Sequence, residues 1–209
     1  MTHHAASTTT PPKPRGSGAP GPYNATVALR RARLRSAIAW GAGLIVVAGL
    51  ITAALISARP QVSEASELAF DFTLPDTDGN MITLSDLRGH PVILYFNEGA
   101  GCASCISQMK AIEDEPGFAE QGIVVLPIVM DPLDQIQAAM EYTGVSTPFL
   151  MDDGRVSEAY GTLGTGMHPG LPGHGFVLIN AAGTRVWSGD YPSMWLSPAD
   201  LLAEVQTRI

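Results

Sequence analysis

The feature that most constrains this chain is the stretch Ser36 to Ala58, SAIAWGAGLIVVAGLITAALISA, 23 residues without a charge. At about 1.5 Å per residue such a helix is roughly 34 Å long, enough to cross a hydrocarbon core of about 30 Å. Arg30, Arg31, Arg33 and Arg35 precede it and only Arg59 follows closely. The positive-inside rule therefore puts the N-terminal tail in the cytoplasm and the rest of the chain outside. Trp40 falls near the cytoplasmic interface, where aromatic rings favour the headgroup layer. The alternative is a cleaved export signal, whose apolar core usually runs about 7–15 residues. Ile56-Ser57-Ala58 makes no clean cleavage site, and Arg30-Arg31 lacks the following phenylalanine of a twin-arginine signal. An uncleaved anchor is expected, and either reading exports the C-terminal part of the chain.

Charge divides the chain at the same place. Residues 1–35 hold six basic residues and no acid, whereas all 20 acidic residues lie from Glu64 onward. Arg88, Lys110, Arg155, Arg185 and Arg208 accompany those acids, leaving a formal charge of −15 after Arg59. So acidic a domain is a poor partner for nucleic acid or anionic lipid headgroups. Met1 to Tyr23 is rich in Thr, Pro, Gly, Ala and Ser and reads as disordered, with His3 and His4 too few for a metal site. The expected organisation is a disordered cytoplasmic tail (1–35), a transmembrane helix (36–58), a polar linker (59–68) and a globular domain (69–209).

Within that domain, Phe70 to Pro75 alternates apolar and polar, Asp78-Gly79-Asn80 turns, and Met81 to Leu84 is a second short strand. Pro91 to Phe96 is apolar throughout, as in a central strand covered on both faces. Ile106, Met109 and Ile112 mark one face of a helix from Cys102 to about Glu115. Gly122 to Met130 reads as another central strand, although Pro127 sits awkwardly there. A helix over Pro132 to Tyr142, a strand over Thr147 to Met151 and a short helix over Arg155 to Tyr160 come next. Gly161 to Gly175 is a long loop with six glycines and two prolines. Gly175 to Asn180 and Thr184 to Ser188 form a hairpin, and Ser197-Pro198 opens a last helix. Alternating strands and helices closed by a hairpin give an α/β fold with a mixed sheet.

The only two cysteines, Cys102 and Cys105, stand as Cys-Ala-Ser-Cys between the central strand and its helix. A helix N-terminus favours a thiolate at the first cysteine, and the second, one turn on, can close a disulfide with it. A structural zinc would need about four ligands, and beyond the cysteines only His90, His168 and His174 are on offer in this domain. A purely structural disulfide would close a tight ring with little loop entropy to remove. Spacing and placement point to redox chemistry.

On these residues the stretch from about 67 to 209 resembles a redoxin of the thioredoxin superfamily. The similarity is to the branch of alkyl hydroperoxide reductase/thiol-specific antioxidant-like and membrane-anchored thiol-disulfide proteins. It is carried by AFDFTLPDTDGNMITLSDLRGHPVILYFNEGAGCASC, with Leu84, Leu87 and Gly89 in its middle, and by PGHGFVLINAAGTRVW. The resemblance implies a thioredoxin-like fold, a central mixed sheet flanked by helices, preceded here by one transmembrane helix. It implies Cys102 as the attacking cysteine and Cys105 as the resolving one. It also implies a cis-proline packed against the disulfide, with Pro172 the better match and Pro169 the alternative.

Departures from the family pattern matter. Ala103-Ser104 replaces the usual Gly-Pro, so the direction of electron flow stays open. Tyr95 stands where thioredoxins bury an acid, which leaves Glu98 as the nearby carboxylate and a candidate proton acceptor. The threonine that peroxiredoxins place three residues before the reactive cysteine is replaced by Gly99, beside Glu98 and Asn97.

The resulting expectation is a membrane-anchored extracytoplasmic thiol-disulfide oxidoreductase. Exported protein thiols or disulfides would be its substrates, a membrane electron donor or acceptor its redox partner, and no organic cofactor is required. Two alternatives stand beside it. One is a peroxiredoxin-like thiol peroxidase. The other is a copper-binding redox chaperone using the cysteines with His168 or His174, since soft thiolates and imidazole suit copper.

Overall fold

The computed structural model describes residues 22–209, so the disorder expected of residues 1–21 lies outside the described residues. By contacts the chain divides into two units, Met1–Thr52 and Ala53–Ile209. Helix α1 spans Pro22–Ser57. It begins well before the expected anchor, which corrects the reading of the tail as disordered up to residue 35. Asn24 to Trp40 contains no Gly or Pro and is rich in Ala, Leu and Arg, all strong helix formers. Once nucleated by the apolar segment, the helix extends back through them. Arg33–Ser57 is long and apolar enough to cross a membrane, and Ile38, Leu44, Ile45, Leu50 and Leu55 are all exposed on it.

The second unit is built on a six-stranded sheet. Its strands are β1 (Gln61–Leu68), β4 (Val92–Phe96), β5 (Val124–Val129), β6 (Leu150–Met151), β7 (Gly175–Ile179) and β8 (Thr184–Asp190). Their order is β1-β8-β7-β4-β5-β6. β4, β5 and β6 run parallel, while β7 is antiparallel to β4, and β8 and β1 continue antiparallel. A separate ribbon pairs β2 (Thr73–Pro75) with β3 (Met81–Thr83). The helices are α2 (Ala103–Glu113), α3 (Pro116–Glu120), α4 (Leu133–Thr143), α5 (Arg155–Ala159) and α6 (Pro198–Gln206).

Alternation along β4 makes two cores. Ile93 and Tyr95 point to one face, where Ile106 and Met109 of α2, Ile136 of α4 and Leu201 and Val205 of α6 cover them. Val92, Leu94 and Phe96 point to the other, under Phe72, Leu74, Leu84, Val156 and Tyr160. Pro127 is accommodated in β5 by the same alternation. Val124 donates its N–H toward β4, to Pro91 O (2.9 Å), so position 127 would donate to the opposite side, where β6 pairs only with Ile128 and Val129.

Residues 61–68, expected as linker, are strand β1. Gln61 pairs with Asp190 and Leu68 with Thr184, with an irregularity between Glu64 and Glu67. The strand lies at the sheet edge with seven of its eight residues exposed. Main-chain bonding to β8 therefore holds it, and no apolar alternation marks it in the sequence. Arg208 Nη2 reaches Glu64 Oε1 at 2.5 Å and Arg185 Nη1 reaches Glu67 Oε1 at 3.3 Å, both solvent-screened pairs of small value.

Candidate redox site

The chain leaves β4 at Phe96 through a turn built for close packing. Asn97 Oδ1 accepts from Gly99 N at 3.0 Å, and Ala100 N donates to Asp131 Oδ1 at 3.0 Å. Gly99 has φ +67°, and a Cβ there would collide with the Asp131 carboxylate. This turn delivers Cys102 to the N-cap of α2, where its sulfur accepts from Cys105 N at 3.2 Å. The two cysteines form a disulfide, with Cα atoms 5.3 Å apart. Cys102 keeps 8% of its surface and Cys105 none, which leaves Cys102 as the one that can meet a substrate. The helix N-terminus stabilises the thiolate released there on reduction.

Behind the pair lies a buried polar cluster. Tyr95 Oη donates to Cys105 O at 3.0 Å and lies 3.1 Å from His174 Nδ1. The same Nδ1 is 3.6 Å from Cys105 Sγ. Tyr95 stacks on Phe176 with centroids 4.6 Å apart, and its hydroxyl is pushed well above the ordinary phenol range by burial. His174 is fully buried, and desolvation pushes its pKa down to about 4, against a smaller upward pull from the Glu98 charge. Its Nε2 is buried without a partner among the described residues.

Glu98, the expected proton acceptor, is buried just after β4. It accepts from Met167 N (2.6 Å) and His168 N (3.3 Å), and its Oε2 meets His168 Nδ1 at 2.7 Å. Among the described residues its hydrogen bonds thus go to the Gly161–Gly175 loop rather than to either sulfur. Pro172 is buried in that loop, but the cis bond expected there is not found, since no described peptide bond is cis. The chain at Pro172 is extended instead, bridged to Leu163, with Gly173 N donating to Thr162 O at 2.9 Å. The side chain this loop presents to Cys105 is His174.

Two residues escaped the sequence reading as parts of the site. His174 was visible only as a turn histidine or copper ligand, although its place directly before a strand, in the loop facing the cysteines, was a usable signal. Asp131 gave none beyond its position just past β5, where the ends of parallel strands gather. Burial raises its carboxyl above the usual range, with the Ala100 hydrogen bond opposing, and its Oδ2 has no partner among the described residues.

Comparison with known proteins bears on this geometry. The AhpC/TSA family profile matches residues 65–186. A Mycobacterium tuberculosis protein with a peroxiredoxin name is 37% identical over 95 residues, covering 44% of this chain and 60% of that protein. Thiol-disulfide oxidoreductase ResA of Halalkalibacterium halodurans is 33% identical over 103 residues, 48% of this chain and 58% of its own length. The chain thus spans about 60% of the length of these curated relatives. The crystal structure of peroxidoxin BcpB from Mycobacterium tuberculosis superposes with a TM-score of 0.58 at 22% identity. That match covers 70% of this chain and 98% of the other, and shows a shared fold.

Proposed function

Since the chain belongs to the AhpC/TSA family, we propose that it is a thiol-disulfide oxidoreductase. It would act on the disulfides or dithiols of exported proteins and be held at the membrane by the helix that contains residues 36–57. One observation carries this reading: a disulfide across a helix N-cap, with one sulfur-bearing residue reachable and the other sealed. In the reducing direction the Cys102 thiolate attacks a substrate disulfide, and one substrate sulfur leaves as thiolate. Cys105 then attacks Cys102 Sγ and displaces the second. Two electrons pass from the pair to the substrate. A membrane donor of electrons must then restore the dithiol; an acceptor would run the cycle in reverse. The helix dipole supports the first step by favouring the thiolate at Cys102.

A second reading is favoured by the peroxiredoxin name of the Mycobacterium tuberculosis relative. In it the Cys102 thiolate attacks peroxide, one oxygen stays as sulfenic acid and the other leaves as water. Cys105 then closes the disulfide and releases a second water. The turn before Cys102 offers no threonine hydroxyl for the peroxide, as Asn97, Glu98 and Gly99 stand there.

The discriminating experiment uses the reduced full chain in detergent micelles. It measures insulin disulfide reduction alongside the rate of hydrogen peroxide oxidation, with free cysteine as reference. The expected result is insulin reduction that requires Cys102 and Cys105, with a peroxide rate near that of free cysteine. A peroxide rate far above the reference and abolished by Cys102→Ser, without insulin reduction, would overturn the proposal in favour of the peroxidase.

A further inference from the structure

We propose that His174 is the proton acceptor for Cys105, taking the thiol proton at Nδ1 when Cys105 attacks and returning it when the pair is reduced. This rests on the reading of the pair as redox-active. Cys105 is completely buried, so water cannot take its proton, and a buried thiol is reluctant to ionise unaided. The nitrogen within reach is His174 Nδ1, 3.6 Å from Cys105 Sγ.

The neighbours of the ring exclude the other routes. Glu98, from the turn after β4, spends its carboxylate on Met167 and His168. Tyr95, from β4, is held neutral by burial. Its hydroxyl lies 3.0 Å from Cys105 O and 3.1 Å from His174 Nδ1, and Nδ1 takes the thiol proton in the Nε2–H tautomer, with the hydroxyl proton turned to Cys105 O. From the β8 side Asp190 interacts with Thr165, and Tyr191 gives only its backbone N–H, to His174 O at 2.8 Å. His174 Nε2 is buried and unpartnered among the described residues. Proton exchange therefore passes through Nδ1, the atom that faces the sulfur. Burial also keeps the ring neutral at physiological pH, as an acceptor must be.

The step balances. In the mixed disulfide of Cys102 with a substrate, Cys105 is a thiol. As its Sγ attacks Cys102 Sγ, its proton moves to His174 Nδ1. The Cys102–substrate bond breaks, and the substrate sulfur leaves with the electron pair. The leaving thiolate then takes the proton from Nδ1.

The test uses the reduced full chain in detergent with 5,5′-dithiobis(2-nitrobenzoic acid). The first equivalent of coloured thiolate reports attack by Cys102 and the second reports attack by Cys105. In His174→Asn, which places an amide near Nδ1 without a basic nitrogen, the first phase should be unchanged. The second should slow by about 100-fold or more, the usual contribution of a general base. Its rate should also fall tenfold per pH unit below neutrality, as for an unassisted thiol, a signature that loss of packing alone would not produce. A second phase unchanged in rate and pH profile would overturn the proposal.

A second measurement needs no variant. The ring nitrogens of 15N-histidine-labelled protein are titrated by NMR in the disulfide and dithiol forms. His174 should protonate at distinctly higher pH in the dithiol form, where a sulfur that can ionise faces it, and identical titrations in both forms would overturn the proposal. Normal two-phase release together with failure to reduce insulin would instead sink the oxidoreductase reading and leave His174 standing.

Discussion

Gly99 shows how tightly single residues are set at this site. At φ +67° a side chain is strained by about 1–2 kcal/mol, and forcing a methyl group into the Asp131 carboxylate adds roughly 1–3 kcal/mol of overpacking. Gly99→Ala should therefore lower unfolding stability by about 2–5 kcal/mol in urea titrations. It should also slow the first thiolate phase, because Asp131 must release Ala100 and the turn carrying Cys102 shifts. His174 supplies a second prediction, with a sign fixed by its lowered pKa. An unfolded histidine takes a proton near pH 6.5, whereas this one resists until about 4. Its neutral burial thus favours the fold above about 6.5, and that contribution, on the order of 3 kcal/mol, is lost as pH falls toward 4. Urea midpoints of the disulfide form should fall more steeply over this range in the parent than in His174→Asn; parallel curves would refute it. At this scale the sequence announced the cysteines, because type and spacing alone carry their chemistry. His174 and Asp131 act through tertiary approach, and only the pairing of β7 and β5 with β4 brings them to α2.

Elements differ in how plainly they can be read for the same reason. β4, β5 and β7 are continuous apolar runs because both their faces are covered, and α2 and α6 show an apolar stripe. β1 shows neither pattern: an edge strand solvated on both faces is specified by main-chain pairing with β8, which side chains do not spell out. The Gly161–Gly175 loop is a further case, its length legible and its fastening not. Much of that fastening converges on one buried carboxylate, Glu98, which accepts two loop amides and meets His168. Glu98→Ala should leave the Met167 and His168 amides unpaired, at a cost of roughly 1–3 kcal/mol for each that stays dry. Hydrogen exchange should then quicken across residues 164–173 while β4 and β7 stay protected. Unchanged exchange in the loop would show that its own contacts, such as Gly164 N to Leu171 O at 2.8 Å, suffice.

At the scale of the whole molecule the uncharged run and the charge asymmetry were the strongest signals, since lipid imposes a length and a composition that few other environments demand. The apolar side chains along Arg33–Ser57 are exposed among the described residues, an unfavourable state in water. The chain should therefore stay with the membrane pellet through alkaline carbonate extraction. Orientation is the sharper prediction. The arginines at 30, 31, 33 and 35 against Arg59 alone should keep the N-terminus in the cytoplasm. Protease added to intact spheroplasts should then digest the globular unit and spare the tail. Replacing the four arginines with serine should erode that pattern, because it leaves Arg59 as the dominant flanking charge. Digestion of the globular unit only after lysis would reverse the topology. It would also move the Cys102–Cys105 pair into a compartment that keeps thiols reduced, where a resting disulfide would not persist. Topology and redox state are therefore one question, and alkylation trapping of the pair in the same spheroplasts reads the second half of it.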